Sequence, residues 1–175
     1  MEVYMIRHTS VGVPQGTCYG WTDVPLAETF EQEAAVTREK LSGIKFDKVF
    51  TSPLSRARRL ADFCGYPDAQ PDDRLKEMNM GDWEMKFFAD PHGELERMWH
   101  SDFAKVQMPG GESFPQLYER VADFFDDLRR QPYDRVAVFA HGGVLICGGI
   151  LCRLFAPNDF FTHLVPPGGV QVCRI

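Results

Sequence analysis

The chain has 175 residues, of which 44% are hydrophobic and 25% charged, and its formal net charge is -6. This length predicts one domain over residues 1–175, and the composition supports a sizeable core and argues against disorder. The acidic balance, without any Lys/Arg-rich run, excludes a nucleic-acid surface as the leading interpretation, although a local basic pocket can still bind a small anion.

The N-terminal segment and the apolar runs of the sequence are also informative about where the protein is located in the cell. The N-terminal segment lacks the basic start of a signal peptide, and no apolar run is long enough to span a membrane. We therefore expect a cytoplasmic protein without membrane contact. Five cysteines, odd in number and without a CxxC pair, are interpreted as reduced thiols in or near the core: Cys18, Cys64, Cys147, Cys152 and Cys173.

Strand and helix patterns alternate along the chain. The expected strands cover residues 3–7, 46–52, 135–140 and 168–175, and the expected helices cover residues 27–41, 53–64, 114–130 and 144–154. This alternation predicts an α/β fold, a three-layer α/β/α sandwich with a mostly parallel central sheet. Residues 84–112 are expected to form a helical insert over the active site, with its helix at about 84–105.

Several details of these elements are predicted as well. Ala34, Ala35, Val36 and Leu41 are expected on the inner face of helix 27–41. Ser52 is expected to cap the next helix, with Pro53 in its first turn, and Ser113 to cap helix 114–130. The helix at 144–154 is apolar nearly all round and is therefore expected to be buried.

Two apolar runs end in histidine. One strand delivers Arg7 and His8, and another delivers His141, which is followed by Gly142. Short apolar runs of this kind are typical of strands buried on both faces, and ligands gather at the carboxyl ends of such strands. If the two strands are neighbours, the two histidines face one another over one pocket. The Gly- and Pro-rich loop at 9–23 that follows His8 is long enough to be functional.

Phosphate is the ligand that this set of residues fits. Arg56 lies one turn into the helix after strand 46–52, so its side chain can lean back toward that strand end. Arginine forks bind phosphate oxygens, and nearby cations keep a histidine such as His8 neutral and nucleophilic. A carboxylic acid is still needed to protonate the leaving group.

The motifs resemble those of the histidine phosphatase superfamily, in its phosphoglycerate-mutase-like branch. The resemblance covers nearly the whole chain, in the order of that family: Arg-His-Thr at 7–9, Ser-Pro-Leu-Ser-Arg-Ala at 52–57, Leu-Lys-Glu and Gly-Asp-Trp-Glu within 75–84, Pro-Gly-Gly-Glu-Ser at 109–113 and Ala-His-Gly-Gly-Val at 140–144. Any one of these motifs is weak, but five in order are a strong signal.

The resemblance implies a role for each matching residue. His8 is the nucleophile that becomes phosphohistidine, and Arg7 and Arg56 hold phosphate oxygens. His141 contacts the phosphoryl group as a protonated donor. Glu77 protonates the leaving group and then activates water. No metal or other cofactor is expected.

Within this family, the segment 16–26 resembles the α-ribazole phosphatases of cobalamin assembly. These enzymes remove the 5′-phosphate from α-ribazole phosphate or its cobamide-linked form. The resemblance implies that Thr17, Tyr19 and Gly20 shape the phosphate pocket, together with Gly142, and that the substrate is a phosphorylated small molecule. Tyr19 and Trp21 are also candidates for contact with an aromatic base.

Some positions depart from the family pattern. Thr9 replaces the signature glycine, Val13 and Pro14 stand where many members have Trp-Asn, and Met85 replaces a glycine. The alternatives to α-ribazole phosphatase are a broad phosphatase of sugar or nucleotide phosphates, a phosphoglycerate-mutase-like enzyme, and a non-enzymatic phosphate-binding module. The loss of Trp-Asn argues against a mutase, and the presence of His8 and Glu77 argues against a binding module.

Overall fold

The computed structural model describes residues 1–87, 105–157 and 161–175. The core of the expected helical insert falls on 88–104, outside the described residues, so its form stays a prediction. The described flanks of that segment consist of turns and irregular chain. Within the described ranges, no helix combines the length and apolar character that crossing a membrane requires.

Five strands form one sheet in the order β3-β2-β4-β1-β5, with β5 antiparallel to β1 and the other pairs parallel. The strands are β1 (Glu2–Arg7), β2 (Lys48–Thr51), β3 (Gln70–Pro71), β4 (Arg135–Ala140) and β5 (Val170–Arg174). The helices are α1 (Phe30–Leu41), α2 (Ser55–Phe63), α3 (Phe114–Arg129) and α4 (Gly142–Leu151). The predicted α/β fold with a mostly parallel sheet is confirmed.

The alternation of side chains along β1 and β4 builds a core on each face of the sheet. Val3 and Met5 join the cluster formed with α3 and α4, whereas Ile6 joins the cluster formed with α1 and α2. Phe139 on β4 belongs to the second cluster and Val138 to the first. Helices therefore cover both faces, and full burial of each such side chain contributes about 1.5–3 kcal/mol.

Some element boundaries differ from the sequence prediction. Helix α1 begins at Phe30, not at 27, and Val36 is exposed while Thr37 is buried in its place. The Thr37 hydroxyl donates a hydrogen bond to the Gly168 carbonyl oxygen at 2.9 Å, which allows a polar side chain to occupy the inner face. The expected positions of Ala34 and Leu41 in the core are confirmed.

For the starts of the other helices, one sequence prediction is correct and two are wrong. Ser113 caps α3 in a capping box with Gln116, as predicted. Helix α2 begins at Ser55, so Ser52 is not its cap and Pro53 lies outside it. Helix α4 begins at Gly142, two residues before the expected start, and is buried as predicted.

The cysteines are not all free. The structure pairs Cys152, just after α4, with Cys173 on β5 in a disulfide, with their Cα atoms 6.0 Å apart. The interpretation of five reduced thiols is therefore wrong for this pair, since a separation of 21 residues carries no recognisable spacing motif. Burial raises the pKa of the Cys64 thiol to about 11 and that of Cys18 to about 12, so these two thiols stay protonated.

Met85 has a backbone conformation that favours glycine, with φ at 66°. Its N–H donates to the Cys18 carbonyl oxygen at 2.7 Å, which ties this turn to the loop after β1. The left-handed region costs a residue with a Cβ about 1–2 kcal/mol. Met85, at a position where the resemblance leads us to expect glycine, thus adopts a conformation that glycine adopts at lower cost.

Replacing Met85 by glycine is expected to stabilise the protein. Relief of the left-handed strain outweighs the greater chain entropy of glycine, so Met85→Gly should raise the free energy of unfolding by about 0.5–1 kcal/mol. Urea denaturation measures this change. The control Gln32→Gly, at an exposed position in α1, should lower the same quantity by about 0.5 kcal/mol. A loss of stability in Met85→Gly would contradict the argument.

Candidate active site

Three neighbouring strands deliver polar residues to one edge of the sheet. His8 follows β1, His141 follows β4 and Ser52 follows β2. Strands β1 and β4 pair in parallel with Arg7 opposite Ala140, and the His8 N–H donates to the Ala140 carbonyl oxygen at 3.0 Å. The two imidazole rings lie 5.2 Å apart between centroids. The predicted adjacency of the two histidine strands is confirmed.

The environment of His8 fixes its protonation. Its Nδ1 lies 2.6 Å from the Thr9 carbonyl oxygen, which can only accept, so Nδ1 carries the proton and Nε2 keeps its lone pair. Burial and the charges of Arg56 and Arg7 lower the pKa of His8 to about 3. The imidazole is therefore neutral at every ordinary pH, as a nucleophile toward phosphorus must be.

His141 is fully buried and is held by Ser52. Its Nε2 lies 2.7 Å from the Ser52 hydroxyl oxygen, which also accepts the Leu54 N–H at 3.3 Å. The Ser52 hydroxyl can then donate its proton to His141 Nε2, and in this arrangement the proton of the neutral imidazole lies on Nδ1. Burial and the charge of Arg56 hold the pKa of His141 well below its usual range. The residues of the chain alone thus keep His141 neutral, and the predicted protonated donor requires a negative ligand to raise that pKa.

The two arginines are anchored by backbone carbonyl groups. Arg56, fully buried, donates from Nη2 to the Gly20 carbonyl oxygen at 2.6 Å and from Nη1 to the Thr22 carbonyl oxygen at 3.1 Å. Arg7 donates from Nη1 to the Val165 carbonyl oxygen at 2.6 Å. Among the described residues the hydrogen-bond partners of both guanidinium groups are neutral carbonyl groups, so neither arginine forms an ion pair there, which suits an anionic ligand.

Several buried polar atoms around His8 have no partner among the described residues: Arg7 Nε, Thr9 Oγ1, Arg56 Nε and His141 Nδ1. A buried polar group without a hydrogen bond costs roughly 1–3 kcal/mol, so such a cluster needs an explanation. Phosphate oxygens accept hydrogen bonds and carry negative charge. An anion bound beside His8 accounts for these atoms together.

Glu77 lies against the start of α4. Its carboxylate accepts the Met78 N–H at 2.9 Å and the Gly143 N–H at 3.1 Å. A Cβ at position 143 would collide with Glu77 Oε1, so any larger residue there would have to displace the Glu77 carboxyl group. Because α4 starts directly after His141, this contact brings a carboxyl group to the pocket edge formed by the histidines.

The structure places three of the four predicted pocket residues beside the arginines and histidines. The Tyr19 ring centroid is 6.4 Å from that of His8, and the Arg56 guanidinium carbon is 5.2 Å from the Tyr19 ring. A Cβ at Gly20 would collide with the Met78 carbonyl oxygen. A Cβ at Gly142 would lie 3.5 Å from Arg7 Cζ.

Thr17 behaves differently from its neighbours. Its hydroxyl donates to the Pro14 carbonyl oxygen at 2.7 Å, and its N–H donates to the same oxygen at 3.1 Å. These hydrogen bonds close a turn within the loop after β1. The geometry thus engages the Thr17 hydroxyl in the loop itself, and its predicted role in the pocket has no contact to support it.

Sequence reasoning missed several residues that organise the site. Ser52 was expected to cap α2 but contacts His141 instead. The sequence analysis gave no role to Glu84 or Glu112, whereas both carboxylates accept backbone N–H groups, Glu84 from the loop at 20–22 and Glu112 from Asn79. The place of each glutamate at the end of a family-like motif was the signal that could have found it.

The fold and the site together define a class of protein. A parallel sheet brings a neutral histidine, a second histidine, two arginines held by carbonyl groups and a carboxyl group to one edge, which is an arrangement fitted for phosphoryl transfer. Residues 3–174 match the family model of the histidine phosphatase superfamily (branch 1). The chain belongs to this superfamily, and its membership supports phosphatase activity.

Proteins similar to this chain are named after different substrates. The adenosylcobalamin/alpha-ribazole phosphatase of Escherichia coli (strain K12) is 30% identical over 173 residues, which cover 93% of this chain and 84% of that protein. Phosphoserine phosphatase 1 of Hydrogenobacter thermophilus is 27% identical over 146 residues, covering 79% and 69% of the two chains. The crystal structure of the alpha-ribazole phosphatase from Shigella flexneri superposes with a TM-score of 0.86 at 26% identity, covering 100% and 91%.

Removal of the His8 imidazole is expected to abolish turnover. His8→Ala should lower kcat/KM on p-nitrophenyl phosphate by a factor on the order of 10⁴ or more, because the covalent intermediate on residue 8 can no longer form. Rapid-quench labelling with a radioactive phosphate ester should detect acid-labile phosphate on the wild type and none on the variant. Arg58→Ala, at an exposed position on α2, is the control and should keep both signals. Retained turnover in His8→Ala would refute the assignment.

Proposed function

We propose that this protein is a phosphomonoesterase that works through a phosphohistidine on His8, with α-ribazole 5′-phosphate as its favoured substrate. The observation that carries the proposal is the fixed tautomer of His8, whose Nε2 lone pair is free beside Arg7, Arg56 and His141. One site then serves both half-reactions. The family match over residues 3–174 supports a single domain across the chain.

In the first half-reaction, His8 Nε2 attacks phosphorus and forms the N–P bond while the bond to the leaving oxygen breaks. The Glu77 carboxylic acid gives its proton to that oxygen. Arg7, Arg56 and the Nδ1–H of His141 stabilise the charge on the equatorial phosphate oxygens, and the N-terminus of α4 adds its partial positive charge. The product alcohol leaves and the phosphoryl group stays on His8.

In the second half-reaction, the Glu77 carboxylate takes a proton from water as that water attacks the phosphohistidine. The N–P bond breaks, inorganic phosphate forms, and Nε2 regains its lone pair. Glu77 is again protonated and ready for the next leaving group. The Met78 and Gly143 N–H groups keep the carboxyl in one orientation through both steps.

The preference for α-ribazole phosphate is supported by the loop after β1. Trp21 is 41% exposed, and its indole N–H donates to the Glu77 carbonyl oxygen at 2.7 Å. The indole is thus immobilised on the main chain of the residue that supplies the acid, and a partly exposed aromatic ring held there suits the aromatic base of α-ribazole. The similarity to alpha-ribazole phosphatases supports the same choice.

A broad phosphatase is the second candidate, favoured by the similarity to phosphoserine phosphatase 1. Such an enzyme needs the same phosphate site but no aromatic contact for the leaving group. The two candidates differ in what Trp21 does, which makes specificity on a panel of substrates the deciding measurement. Location in the cytoplasm stays a prediction from the sequence.

A substrate panel tests the preference. We expect kcat/KM for α-ribazole 5′-phosphate to exceed the values for phosphoserine, 3-phosphoglycerate, sugar phosphates and nucleoside monophosphates at least about tenfold, with EDTA present throughout. In Trp21→Leu this advantage should shrink to about twofold or less, since stacking on an aromatic ring contributes about 0.5–1.5 kcal/mol. Equal, weak rates on all substrates would leave the phosphatase mechanism and remove the α-ribazole assignment.

The role of Glu77 is tested by leaving-group dependence. Glu77→Gln removes the transferable proton, so we expect kcat on alkyl phosphates to fall about 10²–10⁴-fold. The acidic phenol of p-nitrophenyl phosphate needs little protonation, so its phosphorylation step should be much less affected. Burst kinetics isolates that step from the later hydrolysis. Equal losses of the phosphorylation rate for both classes would exclude Glu77 as the acid.

A further inference from the structure

The Glu84 carboxylate gathers four backbone N–H groups from two distant parts of the chain. It accepts hydrogen bonds from Gly20 at 2.9 Å, Trp21 at 2.7 Å and Thr22 at 3.3 Å, and from Met80 at 3.2 Å. Burial raises the pKa of Glu84, but these hydrogen bonds outweigh it and hold the pKa below its ordinary value. The carboxylate therefore stays ionised and joins the loop at 20–22 to the segment that follows Glu77.

The residues that Glu84 fixes are the residues that hold the proposed machinery. The carbonyl oxygens of Gly20 and Thr22 accept both hydrogen bonds that the Arg56 guanidinium makes within the described part of the chain. The indole of Trp21 donates to the Glu77 carbonyl oxygen. The backbone of residues 20–22 thus links Glu84 to Arg56, and the Trp21 side chain links the same loop to Glu77.

We propose that Glu84 is a positioning residue for phosphoryl transfer, which sets the Arg56 guanidinium relative to His8 without contacting substrate. The proposal rests on the phosphatase activity proposed above and is independent of the α-ribazole assignment. A carboxylate suits this role because it offers acceptors only. A glutamine would present an NH₂ group to N–H donors and lose about half of the contacts.

The size of the effect follows from the geometry of Arg56. Because its hydrogen bonds go to carbonyls of the loop, a shift of that loop moves the guanidinium with it. Misplacement of a binding group by about 1 Å costs on the order of 10²-fold in rate. A residue with a merely structural role would instead lower stability and leave the phosphate affinity of the folded protein unchanged.

The test compares Glu84→Gln with a matched control. Asp47 also uses a carboxylate to accept backbone N–H groups, from Asp134 at 2.7 Å and Arg135 at 2.9 Å, but it does so at the opposite end of β4. Asp47→Asn therefore makes the same change, from carboxylate to amide, at another acceptor of backbone N–H groups far from the site. Both variants are characterised by thermal melting, by kinetics on p-nitrophenyl phosphate and by calorimetric titration with inorganic phosphate.

We expect kcat/KM of Glu84→Gln to fall about 10–100-fold and its dissociation constant for phosphate to rise at least about fivefold, while Asp47→Asn keeps both within about twofold. In the background of Arg56→Ala, adding Glu84→Gln should lower kcat/KM by less than about threefold, because the guanidinium is already absent. Glu84→Asp, which retains the charge, should recover part of the phosphate affinity and serves if Glu84→Gln does not fold.

The proposal is overturned if folded Glu84→Gln binds phosphate like the wild type, or if its losses add fully to those of Arg56→Ala. Equal losses of phosphate affinity in Asp47→Asn would overturn it too, since they would reflect general destabilisation. If the wild type binds phosphate but hydrolyses no ester, the proposed function fails. The phosphate titrations then still decide whether Glu84 positions Arg56.

Discussion

The parallel pairing of β1 with β4 is the interaction on which the site depends. Main-chain hydrogen bonds between these central strands set Arg7 beside Ala140, and the next residue on each strand is a histidine. Two imidazoles that are 133 positions apart in the sequence are thereby held with ring centroids 5.2 Å apart. The side chains beneath them alternate between two apolar cores, so a slip in register would be costly on both faces of the sheet.

The positive charges concentrated at this edge of the sheet affect both the stability of the fold and the chemistry of the candidate site. The buried polar atoms around His8 that have no hydrogen-bond partner among the described residues disfavour the folded state, since no such bond offsets their desolvation there. The same charges lower the pKa of His8, which keeps its Nε2 lone pair available. A phosphate group reverses the electrostatic balance, because it satisfies the donors and favours protonation of His141. Binding of the anion and preparation of the nucleophile thus have one physical origin.

Side-chain to main-chain hydrogen bonds connect the rest of the site to this centre. Arg56 is held by loop carbonyls, the loop is held by the Glu84 carboxylate, and Arg120 donates to the Glu77 carbonyl oxygen at 2.8 Å while pairing with Glu112. These contacts substitute for regular secondary structure in chain segments that have little of it. Close approach of the loop to the segment after Glu77 also explains why position 20 is glycine, since a Cβ there would collide with the Met78 carbonyl oxygen.

Much of the fold and part of the site could be predicted from the sequence. Apolar runs with abrupt polar ends identified β1 and β4, Ser113 identified the start of α3, and the order of motifs identified the family. These features depend on local composition and on short spacings, which a sequence displays directly. The candidate catalytic residues, His8 above all, follow from the same motifs.

Only the tertiary structure decided how those residues are held. Three features depend on partners more than 60 residues away or on another element. They are the contact of Ser52 with His141, the burial of Thr37 rather than Val36 on the inner face of α1, and the contacts of the Glu84 carboxylate. The proton position on His8 depends on a carbonyl orientation that no residue pattern encodes. Local sequence determines which groups reach the strand ends, whereas long-range packing determines which hydrogen bonds and charges they find there.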